Sequence, residues 1–275
     1  MSKAGLPAAT GGTCTGYGKR HFHERWCGMA SRKHIDNILQ KWSFDPTQLS
    51  VRTVKGVDDR EVIQMRIDMG ILQLEIAGRP DGSRPEGFDT YLDFLQSQSS
   101  EHIGSIELDD DLCGEIDREF VQFYHRRICW LTLREFERAV QDADHTLALM
   151  DFCRDHSDDE QWTMSHEQYR PFVLFHRTQA DALAVLENGG PEGAIEKING
   201  GIDQFWNFFA NYDAEEQFEE DDLVRRLMEL RESLRDQFNV GKTLEEQLTD
   251  AVASEEYELA AELRDALNRR SKDHH

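Results

Sequence analysis

The side chains best suited to chemistry in this sequence are the carboxylates of residues 107–115, which read ELDDDLCGE. Closely spaced carboxylates are the ligands that Ca²⁺ and Mg²⁺ prefer in proteins, so this segment is a candidate metal site. Its spacing does not match the calcium-binding loop of an EF-hand. The sequence therefore favours a solvated helix start, and a metal-dependent enzyme that uses residues 107–115 is kept as an alternative function.

Two further segments contain residue types that bind zinc or phosphate. Cys14, His21, His23 and Cys27 match no common zinc-finger spacing, and none of the five cysteines belongs to a Cys-x-x-Cys pair. Residues 78–85, GRPDGSRP, contain two glycines and two arginines but lack the glycine spacing and the Lys-Ser/Thr of a P-loop. We interpret them as a surface turn, and we predict no catalytic residue, no metal site and no cofactor.

The most specific pattern of the chain lies in residues 243–270. Thr243 followed by Glu246 fits the Ser/Thr-x-x-Glu capping box, which predicts a helix that begins at Leu244. Apolar residues with helical spacing then form one narrow stripe on this helix: Leu244, Leu248 and Val252.

A second short helix is predicted after a corner at residues 254–255, where Ser254 can cap it. Tyr257 lies at its start, and one face carries Ala260, Leu263 and Leu267. Isolated helices below ~12–15 residues are marginal in water, so this hairpin needs another surface. That surface is either the rest of the chain or a second hairpin.

This hairpin resembles the UVR motif, which occurs at the C-terminus of UvrB, within UvrC, in McsA-type activators of protein arginine kinases and in some Clp-family unfoldases. The matching residues are Leu244, Leu248, Ala251, Val252, Glu256, Tyr257, Glu258, Ala260, Ala261, Leu263, Arg264 and Asp265. The resemblance covers about a tenth of the chain and implies a helical hairpin that pairs with another such hairpin. The partner-binding residues that we predict from it are Leu244, Leu248, Val252, Tyr257, Ala260, Ala261, Leu263 and Arg264.

The charge of the chain restricts its partners. The formal net charge is -23 and the isoelectric point is near 4.8. Direct binding of nucleic acid needs clustered Lys and Arg, so this balance argues against it. No run approaches the ~18 apolar residues of a membrane span, and the N-terminus lacks the apolar core of a secretory signal. With scattered cysteines in an odd number, we expect a cytoplasmic protein.

The remaining elements predict an α+β, mainly α, fold. Residues 1–28 are expected to be a disordered tail, and Met29 looks like a natural start, so that segment could be an over-extended reading. A small α/β region follows over residues 29–100. Its antiparallel strands are joined by a tight turn at residues 68–70 or carry a bulge at Gly70, and we expect them to be covered by the preceding helix and by a helix over residues 87–98.

A helical bundle is predicted over residues 101–238, followed by the hairpin and tail over residues 239–275. Residues 124–149 resemble a tetratricopeptide repeat, and a weaker copy covers residues 179–205. The resemblance departs from the repeat pattern at Arg127, Arg134 and Thr146. A tetratricopeptide-like bundle and a generic helical bundle therefore both stay open. Asn239 and Gly241 suit the left-handed cap and hinge before the hairpin.

These features predict a non-catalytic adaptor or regulator that docks a protein partner, or another copy of itself, through the hairpin. The first alternative is an accessory factor of nucleotide-excision repair. The second is an accessory factor of a protein kinase or protease system, although this chain lacks the Cys-x-x-Cys pairs of the McsA-type activators.

Overall fold

The computed structural model describes residues 34–101 and 108–273. The predicted tail over residues 1–28, with its candidate zinc residues, and Glu107 lie outside the described residues. The described part is mainly helical with one small antiparallel sheet, which confirms the predicted α+β, mainly α, class. It falls into two compact units, one ending at Ser43 and one beginning at Phe44. The described end of the first unit contains α1, Asp36–Leu39. The domain boundaries inferred from the sequence stay predictions.

A three-stranded antiparallel sheet opens the second unit. Its strands are β1 (Ser50–Lys55), β2 (Glu61–Ile67) and β3 (Gly70–Glu75), in the order β1-β2-β3. Ile67 pairs with Gly70, so Asp68 and Met69 form a tight turn, which is one of the two arrangements that the sequence predicts. The central strand β2 is buried over residues 62–66, which makes it the part of the sheet that anchors the unit.

Helices make up most of the rest of the described chain. They are α2 (Tyr91–Glu101), α3 (Asp110–Leu133), α4 (Phe136–His156), α5 (Glu160–Glu167), α6 (Arg170–Asn188), α7 (Pro191–Asn211), α8 (Asp222–Phe238), α9 (Leu244–Ala253) and α10 (Tyr257–Asp273). The pairs α3–α4 and α6–α7 pack closely, with turns at Arg134 and Gly190, which have φ angles of 61° and 87°. None of the helices in residues 34–101 and 108–273 has the length and apolar character of a membrane span.

The helix predicted over residues 87–98 begins later, at Tyr91. Phe88 is extended, and Thr90 and Asp93 form a reciprocal cap in which each backbone N–H donates to the other's side chain at 3.1 Å. The apolar side of α2 packs with α3 and α4 and not on the sheet. The prediction that this helix covers the sheet was therefore wrong, because α3 and α4 occupy that place.

Buried apolar clusters hold the second unit together. Ile63 and Leu74 of the sheet pack with Trp130 of α3, and a second cluster joins α2, α3 and α4. A third cluster joins α6, α7 and α8 around Phe205 and Leu227. These clusters explain why the two helix pairs and α8 form one continuous helical body, which we define as residues 44–238.

Candidate functional site

The first helix of the C-terminal hairpin begins where the sequence predicts. Thr243 Oγ1 accepts a hydrogen bond from the Glu246 N–H at 3.3 Å, and Glu246 Oε2 accepts one from the Thr243 N–H at 2.8 Å. These reciprocal bonds form a complete capping box, which satisfies two N–H groups that a helix start leaves without partners. The predicted start of α9 at Leu244 is confirmed.

The corner between α9 and α10 is built from backbone hydrogen bonds. Glu255 adopts a left-handed φ of 59°, its N–H donates to the Val252 carbonyl at 3.1 Å, and the Glu256 N–H donates to the Ala251 carbonyl at 2.8 Å. This is the Schellman arrangement, with a glutamate where glycine is usual. Ser254 lies at the C-cap of α9. The prediction that Ser254 caps the second helix was wrong, because Glu255 and Glu256 lie between Ser254 and the start of α10 at Tyr257.

A small apolar seam joins the two helices of the hairpin. Ala251, Ala260 and Leu263 are buried, and Leu244 and Leu248 pack against them. The alanines allow the helices to approach closely, as the sequence suggests. Half of the residues predicted to bind a partner therefore lie inside the hairpin, where their first role is to hold α9 against α10: Leu244, Leu248, Ala260 and Leu263.

Other apolar residues near the corner are exposed and do not belong to this seam. Val252 is 54% exposed, Tyr257 67% and Leu259 43%. We call these three residues the corner surface. Leu259 was missed by the sequence reasoning, although its apolar character two positions after Tyr257, off the face of Ala260, was a usable signal. Ala261 is exposed beside it.

Arg264 is the remaining predicted partner-binding residue, and it lies on the exposed side of α10. Its Nη2 donates to Asp265 Oδ1 at 3.0 Å. Both side chains are more than half exposed, and exposed pairs of this kind contribute little to stability. The Arg264 guanidinium can therefore leave Asp265 and pair with another carboxylate at little cost in free energy.

The hairpin connects to the helical body through the same glutamate that caps α9. Glu246 Oε1 accepts a hydrogen bond from Asn199 Nδ2 of α7 at 2.9 Å and another from Arg235 of α8. Asn199 Oδ1 in turn accepts from Arg231 Nη1 at 3.0 Å. Partial burial by itself raises the pKa of Glu246, but the hydrogen bonds from Thr243 and Asn199 and the charge of Arg235 outweigh it and lower the pKa below its usual 4.5.

The segment before the hairpin has the predicted cap. Asn239 adopts a left-handed φ of 54° at the end of α8, and the Val240 N–H donates to the Arg235 carbonyl at 3.1 Å. Val240 packs against the apolar cluster of α6, α7 and α8. A short linker over residues 240–242 therefore fixes the start of α9 near the end of α8.

The acidic candidate segment lies elsewhere, at the start of α3. Asp109 caps this helix by accepting from the Leu112 N–H at 2.9 Å, as expected for a helix start. Glu115 Oε2 accepts from Arg79 Nη2, and Glu115 Oε1 pairs with Arg118, both at 2.9 Å. Within residues 34–101 and 108–273, no group of three or more candidate ligands is placed to hold a metal ion.

Arg79 corrects the interpretation of residues 78–85 as a surface turn. Its side chain is 3% exposed, and its Nε lies 3.3 Å from Oε2 of the buried Glu119. The turn is therefore attached to α3 by a buried ion pair. The prediction was wrong for Arg79 because its partners come from a helix about forty residues later, which local sequence could not place beside it.

Comparison with known proteins bears on the hairpin alone. No curated protein and no solved structure matches the chain. The tetratricopeptide resemblance of the body therefore stays a prediction. A family model described as the UvrB/uvrC motif matches residues 241–272, the segment that contains the capping box, the seam and the corner surface. The C-terminal hairpin of this chain is thus a UvrB/uvrC motif.

Proposed function

We propose that this chain is a non-catalytic adaptor or regulator that docks a protein partner through its C-terminal hairpin. The observation that carries the proposal is the corner surface: Val252, Tyr257 and Leu259 are exposed on a hairpin whose seam is already closed by other residues. Exposed apolar side chains grouped within eight positions of a helical corner suit a protein partner. We therefore propose that, of the predicted partner-binding residues, those exposed at the corner surface contact the partner, together with Ala261 and Arg264.

The size of the seam supports the same conclusion. α9 spans only Leu244–Ala253, which is short for a helix that must persist in water. Its attachments are five apolar side chains of the seam, the bonds of Glu246, and the linker. A partner that covers the corner surface would add apolar burial to a hairpin that has little of its own.

The chemistry of the partner follows from the motif and from the charge. A hairpin of this family suits another UvrB/uvrC-type hairpin, in a different protein or in a second copy of this chain. The net charge of -23 favours a basic protein surface and disfavours direct contact with nucleic acid. The helical body, which we expect to be tetratricopeptide-like, would act as the scaffold in a cytoplasmic complex.

An accessory role in nucleotide-excision repair, or in a protein kinase or protease system, is the second candidate. The match of residues 241–272 to the UvrB/uvrC motif favours it, because the partner would then carry the same motif. The identity of the recovered partner separates the two systems. A metal-dependent enzyme is less favoured, since Glu115 is engaged by Arg79 and Arg118.

The test is affinity purification of the full chain from its native cells, followed by binding of the purified partner. The corner variant combines Val252→Ser with Tyr257→Ser, which leaves the seam intact. The control combines Glu262→Ser with Asn268→Ser, two exposed polar residues of α10. We expect the corner variant to lose the partner and the control to keep it.

Retention of every partner by the corner variant would sink the docking role. A circular dichroism spectrum identical to that of the parent chain shows that the hairpin is still folded. Leu263→Asp is unsuitable for this purpose, because Leu263 is buried in the seam and its replacement would open the hairpin.

A further inference from the structure

A cavity of about 710 Å³ lies in the helical body and is lined by residues of α3, α4, α5 and α6. Its lining is mainly apolar and includes Phe120, Tyr124, Met150 and Phe172. Met150 is buried, whereas Tyr124 and Phe172 are more than a third exposed. The cavity is therefore open at one side, and its volume falls in the ~300–1,000 Å³ range of small-molecule sites.

One arginine in this apolar cavity has no counter-ion. Arg127 lines the cavity and is 2% exposed. Its Nη1 donates to Thr146 Oγ1 at 3.0 Å, its Nε is buried without a hydrogen-bond partner, and its guanidinium carbon lies 5.9 Å from the centre of the Tyr124 ring. In the part of the chain that the structure describes, no carboxylate lies within ion-pair distance of it. A buried charge in this condition is strongly unfavourable.

The preceding residue shows what a satisfied arginine looks like on the same helix. Arg126 is 4% exposed, nearly as buried as Arg127. It donates to both carboxylate oxygens of Asp142, at 2.7 Å and 2.9 Å, and to the carbonyls of Glu75 and Gly78, at 3.1 Å and 2.8 Å. The bundle thus provides carboxylate and carbonyl acceptors for one arginine, whereas its neighbour has one hydroxyl acceptor at Nη1 and a buried Nε without a partner.

The carboxylates nearest to the cavity are already engaged. Asp142 is held by Arg126, and Asp117 at the rim pairs with His166 Nε2 at 2.9 Å and accepts from Trp162 Nε1 at 3.1 Å. Burial, and secondarily the positive charge of Arg127, lowers the pKa of His176 to about 4, so His176 is neutral at pH 7. Burial also lowers the pKa of Arg127 to about 10, although the Asp142 charge opposes this, and Arg127 stays protonated. Arg127 is therefore a positive charge in the cavity lining, whereas the carboxylate of Asp117 at the rim already has partners.

We propose that this cavity binds a small organic carboxylate with an apolar body, whose anionic group lies against Arg127 and whose body lies against Phe120, Tyr124 and Phe172. A carboxylate matches the planar guanidinium fork, can accept a hydrogen bond from the N–H that lacks a partner, and supplies the counter-ion that Arg127 lacks. The apolar walls add burial of the ligand body. This site is on the helical body and does not rest on the docking role of the hairpin.

The experiment uses the full chain with decanoate and 4-phenylbutyrate as anionic probes and 1-decanol as an uncharged probe of matched length. Isothermal titration calorimetry and thermal unfolding measure binding. We expect at least one carboxylate to bind and raise the unfolding temperature, and 1-decanol to bind at least about tenfold more weakly. Equal binding of 1-decanol, or no binding of either carboxylate at millimolar concentration, would overturn the proposal.

Two substitutions test whether the guanidinium of Arg127 binds the carboxylate. Arg127→Met keeps much of the side-chain volume and removes the charge, and we expect it to weaken carboxylate binding at least about tenfold. Arg127→Lys keeps the charge without the fork and should bind with intermediate affinity. The control is Arg154→Met, an exposed arginine of α4 that pairs with Asp151 and Asp155.

Arg154→Met should bind like the parent chain. Unchanged binding in Arg127→Met would overturn the proposal, because the probes would then be held by the apolar walls alone. If Arg127→Met fails to fold, the carboxylate affinity of Arg127→Lys is compared with that of the parent chain. Equal affinities would overturn the proposal, because the guanidinium fork would then not recognise the carboxylate.

Discussion

In the helical body, buried charges are matched by other buried groups, whereas the hairpin rests on a few apolar side chains and one partly exposed carboxylate. Arg126 and Asp142 lie on adjacent helices, are each about 5% exposed, and make a two-pronged ion pair 16 residues apart in sequence. In the hairpin, Leu263 closes the seam and Glu246 makes the polar link to the body. The body is thus fixed by buried polar contacts between helices, and the hairpin by a seam that forms within twenty residues and by a polar link to Asn199, 47 positions earlier.

Glu119 shows how completely the body uses a buried carboxylate. It is fully buried and accepts from the backbone N–H groups of Tyr91 and Leu92 at 2.8 Å and 3.1 Å, while His145 Nε2 lies 2.9 Å away. One side chain of α3 thereby holds the first turn of α2 and a histidine of α4, with Arg79 as its counter-ion. From this difference we expect the hairpin to open without unfolding the body.

Asp142→Ala tests the body side of this comparison and should have the largest effect. It leaves Arg126 buried with only two carbonyl acceptors, so the free energy of unfolding should fall by about 3–5 kcal/mol. Urea unfolding followed by circular dichroism measures it. Asp144→Ala is the control, because Asp144 is half exposed on the same helix and should cost at most about 1 kcal/mol. Equal effects of the two variants would contradict the role of the buried pair.

Leu263→Ala tests the hairpin side. Removing a buried leucine from the seam should destabilise the hairpin by about 2–3 kcal/mol, near the low end for such changes because the seam is small. Faster hydrogen exchange should be confined to α9 and α10, with the unfolding midpoint of the body unchanged. Leu259→Ala, at an exposed position, is the control. A midpoint that shifts as far as in Asp142→Ala would mean that hairpin and body unfold as one unit.

The sequence allowed prediction of those features that depend on neighbours along the chain. The capping box of Thr243 and Glu246, the strand turn at residues 68–70 and the left-handed cap at Asn239 were all predicted and are confirmed. Each needs only residues a few positions apart. The mainly α class followed in the same way, from periodic apolar spacing.

Features that depend on distant residues could not be predicted. Leu263 lies in the seam, which the sequence did not reveal because an apolar face does not show what covers it, and its role in binding a partner stays a prediction. Arg79 was predicted to lie on the surface, but it is buried and forms an ion pair with Glu119. Arg127 differs from the repeat pattern, which has a small residue at its position, and this difference was the sequence signal for the cavity. The sequence could not show that Arg127 is buried, because part of the cavity lining comes from α5 and α6.

A third prediction concerns acid and the body. His176 is partly buried, with Nδ1 lacking a hydrogen-bond partner, and its folded pKa of about 4 lies below the usual 6.5. The unfolded chain therefore binds a proton that the folded chain excludes, so the stability from neutral His176 is present above pH 6.5 and is lost as pH falls toward 4. Between pH 6.5 and pH 4, the free energy of unfolding of His176→Leu should fall by about 1–2 kcal/mol less than that of the parent chain, as measured by urea unfolding.

His34→Leu is the control for this prediction, because that imidazole is exposed. It should lose as much stability as the parent chain over the same range of pH. His125, whose pKa is also lowered by burial, leaves a residual acid sensitivity in His176→Leu. An acid profile of His176→Leu that matches the parent chain would place the acid-sensitive group outside the cavity region.

The smallest effect is expected where hairpin and body meet. The folded pKa of Glu246 is lowered, so its stabilising contribution is present above its usual pKa of 4.5 and is lost as pH falls through the lower folded value. Glu246→Gln should reduce protection of the α9 amides by about 1 kcal/mol or less at pH 7 and remove this part of their acid dependence. Amide protection factors from NMR measure both, with the exposed neighbour Glu245→Gln as control. Because Glu246 both caps α9 and binds Asn199 and Arg235, a variant that lowers protection in α7 and α8 as strongly as in α9 would show that this contact organises the body as well as the hairpin.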